Sequence, residues 1–394
     1  MCGSAGSQNV ATLLILRFFA GTFGGSPLVN SGGTIADIFP PAQRGLALTI
    51  YCVAPFLGPI LGPIIGGFVS QGAGWRWVQG LCTIFIGVVG TLGVIFVPET
   101  YGPVLLQRRA KRLAQADGKV YPGDEDPGEV FKRALFRPWI FLFLEPIVSI
   151  ASLYMAIIYG TVYMFMGAMP IVYNEHRGWS VGIGGLSFSG IMVGIIFGLV
   201  YAIWDNNGRY TRSFKASMAE SRLPPAAEAR LPPAIVGGIA LPIGMFAFAW
   251  TNYPSIHWSV SIILSAPFGF GCVLVILPIM NYLIDSYTIY AASVLAAAAI
   301  FRSIIGAVFP LFTTQMYHNL GIHWASSIPA FSTLVCAPFP SVMYRYGRAV
   351  RMKCKYSFEA AEMFRKMLSQ QAGAAAGGEK DKGEEEGAKN SSSE

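Results

Sequence analysis

The sequence predicts an all-α membrane protein with about nine transmembrane helices. Hydrophobic residues make up 53% of the 394-residue chain and charged residues only 12%, about half the charged share of a soluble protein. Uncharged runs long enough to cross a bilayer recur along the chain. Lysine and arginine gather in the connections between those runs, as membrane topology requires. The net charge of +7 therefore reflects topology and gives no reason to expect nucleic acid as a partner. The lipid bilayer is the partner expected from composition, and the sequence leaves the oligomeric state open.

Taken in order, the spans are Val10–Ala36, Leu46–Val69, Trp77–Val97, Trp139–Met169, Ile183–Trp204, Ala234–Trp250, Trp258–Leu283, Tyr287–Met316 and Ile322–Tyr344. The first residues lack a basic region, so no cleavable signal peptide is expected. Two long connections are basic. Pro98–Pro138 carries Arg108, Arg109, Lys111, Arg112, Lys119, Lys132, Arg133 and Arg137; Asp205–Pro233 carries Arg209, Arg212, Lys215, Arg222 and Arg230. Both read as cytosolic, and the turns near Asn174–Ser180, Asn252–His257 and His318–His323 as external. This places the N-terminus outside and the C-terminus in the cytosol. The plasma membrane is the expected location, with the vacuolar membrane as the alternative. The resulting division is 1–97 (three spans), 98–138 (a cytosolic loop), 139–345 (a six-helix bundle) and 346–394 (a basic, then disordered, tail). Arg345 to about Met367 reads either as a helix on anionic lipid or as a topology anchor. Asn390 heads a glycosylation sequon, expected to go unused in the cytosol.

The most informative segment is Phe56–Phe68, inside an uncharged run from Gly45 to Trp75. Gly58, Gly62 and Gly66 recur every four residues and share one helical face, a groove in which another helix backbone can lie. Pro55, Pro59 and Pro63 repeat on a neighbouring stripe. Each removes a backbone donor, which neighbouring helices in a membrane can offset. Spacing alone also fits a packing motif with no transport role. Six cysteines form no C-x-x-C pair, the four histidines have no metal spacing, and there is no G-x-x-x-x-G-K-[ST] loop. No metal, cofactor, ATP site or enzymatic arrangement is expected.

Gly58-x3-Gly62-Pro63-x2-Gly66-Gly67 resembles the fifth-helix antiporter motif of drug:proton antiporters in the major facilitator superfamily. Arg17-Phe-Phe-Ala-Gly21-Thr-Phe-Gly24 resembles the fourth-helix motif, followed by Ile35-Ala-Asp37 and Arg44-Gly45. Gly74-Trp75-Arg76-Trp77, the stretch Pro98-Glu99-Thr100-Tyr101 to Arg112, Tyr159-Gly160, Gly178-Trp179, Asp285-Ser-Tyr287 and Arg302-Ser303 continue the match. The chain resembles the fungal drug:proton antiporters, in particular the polyamine and multidrug exporter branch. The resemblance implies two six-helix halves made of three-helix repeats. It also implies that this sequence begins at the fourth helix, lacking the first repeat and its gate loop. Asp205, Gly208 and Arg209 correspond to the second-half counterpart of that loop.

Four charged residues are candidates for proton coupling or charge relay. Arg17 lies within an apolar run, where an arginine costs about 2.5–3.5 kcal/mol. It resembles the family's fourth-helix coupling arginine; the alternative is that it snorkels to the interface. Glu145 is either a titrating or substrate-binding carboxyl, or an interfacial partner of Arg137. Asp285 reads as an interfacial cap or coupling site, and Arg302 as a deeper charge needing a partner or a wet cavity. Tyr154, Tyr159, Tyr163 and Phe165 stripe one span and offer faces to flat or cationic ligands, or simply pack. The expected function is proton-coupled efflux of small amphiphilic molecules such as drugs, polyamines or secondary metabolites. The alternative is a truncated, inactive or regulatory membrane protein that assembles with an intact transporter.

Overall fold

A computed structural model of the protein describes residues 1–25, 33–35, 38–100, 102–117, 127–221, 225–360 and 362–363. Asp37, Tyr101, Lys119, Arg222, Asn390 and the rest of the tail beyond 363 lie outside the described residues. The described residues contain helices and no strand. The main helices are α1 (Val10–Gly24), α2 (Pro41–Ala73), α3 (Trp75–Phe96), α4 (Gly102–Asp117), α5 (Pro127–Leu144) and α6 (Pro146–Pro170). They continue with α7 (Ser189–Asp205), α8 (Thr211–Ser221), α9 (Pro232–Trp250), α10 (Ala266–Tyr287), α11 (Ala291–Cys336) and α12 (Pro338–Arg351).

Seven helical stretches among the described residues are long and apolar enough to span a membrane; α1, at 15 residues, is shorter. Two departures from the expected spans have local causes. The fourth expected span, Trp139–Met169, is broken at Glu145. Pro146 starts α6, and a residue before proline is driven out of helical geometry. Glu145 accordingly sits at φ −108, ψ 99, and Trp139–Leu144 belongs to α5. The last two spans run together as one helical stretch, broken at Gly321 by φ +73, ψ 165. That left-handed backbone is open to glycine at little cost, so Gly321 lets the chain reverse. Gly74, at φ +85, does the same between α2 and α3. The basic connections are not loops throughout: α4, α5 and α8 form within them.

α6, α7, α9, α10 and α11 form the packed body. In the stretch Trp258–Tyr287, 67% of the apolar window is buried, against 6% in α3. Close backbone approach is achieved with glycines, as expected where lipid gives helices no hydrophobic reason to associate. Side chains at Gly190 and Gly194 of α7 would strike the carbonyls of Ile262 and Ala266. One at Gly271 of α10 would lie 2.7 Å from the Leu241 nitrogen in α9. One at Gly160 would lie 2.5 Å from Ile305 of α11. The expected groove on α2 is different. A Cβ at Gly58 or Gly62 would meet nothing within 4 Å, and both are exposed. The α2 glycines that are packed lie nearer its ends: a Cβ at Gly67 would lie 2.9 Å from the Val181 carbonyl oxygen, and one at Gly45 would strike Arg230.

Candidate substrate cavity and gate contacts

α2 lies along the body and touches it near both of its ends. At the Gly67 end its partner is the short helix Val181–Gly185. Gln71 Oε1 accepts from the Gly182 amide at 3.0 Å. A Cβ at Gly185 would sit 2.5 Å from the Pro63 carbonyl oxygen. The two backbones therefore meet without side chains between them. At the other end, a Cβ at Gly45 would strike Arg230 Nη1 and Asn206 Oδ1.

Between these contacts lies a cavity of about 60 Å³. α2 lines it with Tyr51, Cys52, Pro55 and Pro59; α6 contributes Tyr159, Val162 and Phe165, and α11 contributes Arg302. The proline stripe of α2, not its glycine stripe, thus faces the cavity. Phe165 stacks on Phe268, centroids 4.7 Å apart. Arg302 lies over the Tyr159 ring at 5.0 Å. Gly306, one turn beyond Arg302 on the same face, makes room for that ring, since its Cβ would approach Tyr159 Cδ1 to 3.2 Å. The aromatic stripe on α6 therefore divides. Tyr159 and Phe165 line the cavity, and the Tyr163 hydroxyl lies 3.3 Å from that of Tyr159. Tyr154 is about 140° around the helix from Tyr159. It is buried against Phe339, with ring centroids 6.3 Å apart, away from the cavity.

The polar end of the body is held by ion pairs that the sequence left as separate charges. Arg209 binds Asp205 with two bonds of 2.7 and 2.8 Å and donates to the Ala229 carbonyl. Arg230 pairs with Asp285 at 2.8 Å and donates to Asn206 Oδ1 at 3.2 Å. Its guanidinium lies 3.5 Å from the Tyr210 ring centroid. Arg351 binds Glu228 with two bonds of 2.8 Å. Asp285 is therefore an ion-pair partner instead of a helix cap. Arg351, read from sequence as part of a lipid-facing or topological basic cluster, is committed to a carboxylate. Planar, two-bond pairing of this kind is what arginine provides and lysine does not. Gly208 lies in the turn Asn206–Tyr210, and a Cβ there would meet nothing within 4 Å.

Glu145 is not the partner of Arg137. It is 1% exposed; its Oε2 accepts from the Tyr287 hydroxyl at 2.8 Å and its Oε1 from the Tyr356 amide at 3.0 Å. Arg137 instead lies over the Tyr290 ring at 5.2 Å. Beside this cage, burial first and the Glu145 charge second push the Cys354 thiol up to about 11. Arg17 is exposed on α1, which has no buried residue. Sequence reasoning missed Glu228, Arg230, Arg351 and Gly45 as a group. The closest signal was Glu228-Ala-Arg230 immediately before the Pro232-Pro233 start of α9, an acid and a base where a helix enters the bilayer.

A helical membrane body with an apolar cavity beneath one Gly/Pro helix, and polar contacts at the end of that helix, has the parts a membrane transporter needs. Residues 1–310 match the Major Facilitator Superfamily, and the chain belongs to it. It is 82% identical over 389 residues to the major facilitator-type transporter sorT of Penicillium rubens, covering 96% of this chain and 73% of that one. It is 59% identical to the MFS-type efflux pump MFS2 of Trichophyton rubrum, covering 93% of this chain and 62% of the pump. Its fold resembles the solved structure of the proton:xylose symporter XylE bound to 6-bromo-6-deoxy-D-glucose. The TM-score is 0.56 at 17% identity, covering 86% of this chain and 71% of XylE. The chain is thus an integral membrane transporter of small molecules and not an enzyme.

Proposed function

We propose that this protein exports small, largely apolar molecules in exchange for protons, using the cavity between α2 and the body as its binding site. The observation that carries this reading is the cavity's position, enclosed between two polar or glycine-lined contacts made by one helix. Parting α2 from Val181–Gly185 would open one end; parting Gly45 from Arg230 and Asn206 would open the other. Alternating between them is the exchange that a rocking transporter requires. Residues 1–97 supply the moving bundle, 98–138 a cytosolic connection and 139–345 the six-helix body. The tail is cytosolic, which makes the Gly67 end external.

Proton coupling belongs to Glu145 and Asp285. Each is a carboxylate whose bonds join separate segments, so protonation would weaken a contact between them. Arg17 joins them on the family resemblance. The driving force is sufficient: one pH unit supplies about 1.4 kcal/mol and 100 mV about 2.3 kcal/mol. Together these support a gradient of several hundred-fold per proton.

The test is efflux from a pump-deficient yeast expressing the chain, with surface expression measured. Efflux of an apolar drug panel should stop when a protonophore collapses the gradient. Efflux that continues unchanged after collapse would refute proton coupling. Correct insertion without flux of any compound would favour a regulatory protein that works with another transporter.

A further inference from the structure

The charge inside the cavity has a sign. Among its described lining residues there is no carboxylate, and the single ionised side chain is Arg302. Among the described residues Arg302 has no carboxylate partner; its contact is the face of Tyr159 at 5.0 Å. A guanidinium held within a membrane protein is costly unless something offsets its charge, and a ring face offsets only part of it. The remaining walls are aromatic or aliphatic, with Tyr51, Phe56, Tyr159, Phe165 and Phe268 offering ring surface.

We propose that the preferred ligand is a flat aromatic molecule bearing one acidic group, held with its carboxylate or enolate against Arg302 and its rings among those aromatic side chains. A carboxylate matches the planar fork of arginine, and a bond between two ions is shorter and stronger than a neutral one. The flat remainder of the ligand gains offset or edge contacts with the rings. A polyamine meets the opposite conditions: it would bring several positive charges toward an arginine with no carboxylate among the described lining residues. The site therefore selects against the polycationic end of the substrate range that the family resemblance implies.

Size adds a second condition. An apolar cavity of about 150 Å³ holds benzene, whereas this one offers about 60 Å³. A naphthalene-sized ligand is larger than this space, so its binding is expected to push α2 outward from the body. The inference rests on the reading of the cavity as the transport site.

Three probes of one shape provide the test: 2-naphthoate, its methyl ester and 2-naphthylmethylammonium, titrated by fluorescence against the full chain in nanodiscs. 2-Naphthoate is expected to bind at least ten-fold tighter than the other two. Arg302→Gln should bring the naphthoate affinity down to the level of the ester, and retained binding of the ester shows that the variant is folded. Arg302→Lys should restore part of the preference. Tighter binding of the ammonium probe overturns the proposal, as does an unchanged naphthoate-to-ester ratio in Arg302→Gln, or no binding of any probe to the wild type. Flux separates this inference from the transport reading. Arg302-dependent naphthoate binding without efflux of any compound leaves the site assignment standing and removes the exporter. Efflux of other compounds by a protein that ignores naphthoate does the reverse.

Discussion

Replacing Gly185 by alanine tests whether the seam between α2 and Val181–Gly185 closes the cavity. The new Cβ would stand 2.5 Å from the Pro63 carbonyl oxygen and 3.2 Å from Ile64 Cα. Both are backbone atoms, so no side chain can rotate away. Ordinary contact begins at 3.4 Å, and the two segments must part by about 0.9 Å, the difference between those distances. Overpacking of this kind costs about 1–3 kcal/mol. The cost falls only on the closed arrangement, so it shifts the open-to-closed ratio about 5- to 150-fold. Cys52 reports the change, because it lines the cavity and is 3% exposed. In a chain whose other five cysteines are replaced, a charged thiol reagent should label Cys52 faster in Gly185→Ala by a factor in that range. Gly182→Ala should have a smaller effect, because its Cβ meets the side chains of Phe68 and Gln71, which can move. Gly72→Ala should do nothing, since its Cβ meets nothing within 4 Å. Equal labelling in Gly185→Ala and the parent, or the same acceleration in Gly72→Ala, would refute a seam that gates the cavity.

Three further outcomes follow from the polar contacts. Arg230→Leu leaves Asp285 without its cation in a poorly solvated site, and should lower the stability of the detergent-purified protein by about 3 kcal/mol. Adding Asp285→Leu should recover much of that loss in the same thermal assay, and a double variant as unstable as the single one would contradict an isolated pair. Glu145→Ala removes the acceptor of both Tyr287 and the Tyr356 amide, so trypsin should cut faster at Lys353 and Lys355, while Glu145→Gln, which keeps one acceptor oxygen, should lie between. Equal cleavage in all three proteins would show that Glu145 does not hold this segment. Cys354, with its thiol pushed up to about 11, carries roughly a hundred-fold less reactive thiolate near neutral pH than an unperturbed cysteine. Its alkylation rate should therefore climb about ten-fold per pH unit from pH 7 to 10 without levelling off, and a plateau near pH 9 would rule out the buried environment.

Composition and the spacing of charge were enough to set the class. A chain with so few charges, placed between apolar runs, must satisfy its backbone within helices if it is to enter lipid, and helices are what form. Their ends were legible where a single residue imposes them, although the consequences at Glu145-Pro146 and Gly321 were not drawn from the spans alone. The family was legible in short motifs, because glycine, proline and buried charge report local constraints that few other residues meet. The side of α2 that matters was not. A repeat of four marks a stripe but carries no information about its partner, and Gly58 and Gly62 face open space while Pro55 and Pro59 face the cavity.

The sequence by itself determined that this protein is helical, lies in a membrane and belongs among the major facilitators, since those properties follow from hydropathy and from motifs read within single helices. Only the tertiary structure decided which charges meet. Arg230 and Asp285 are 55 residues apart, Glu228 and Arg351 are 123 apart, and Glu145 and Tyr287 are 142 apart. Such pairs are made by helix packing, whose geometry depends on glycines on both partners at once. The same packing sets Arg302 above Tyr159, with no carboxylate among the described residues lining the cavity, and so gives the site its sign of charge.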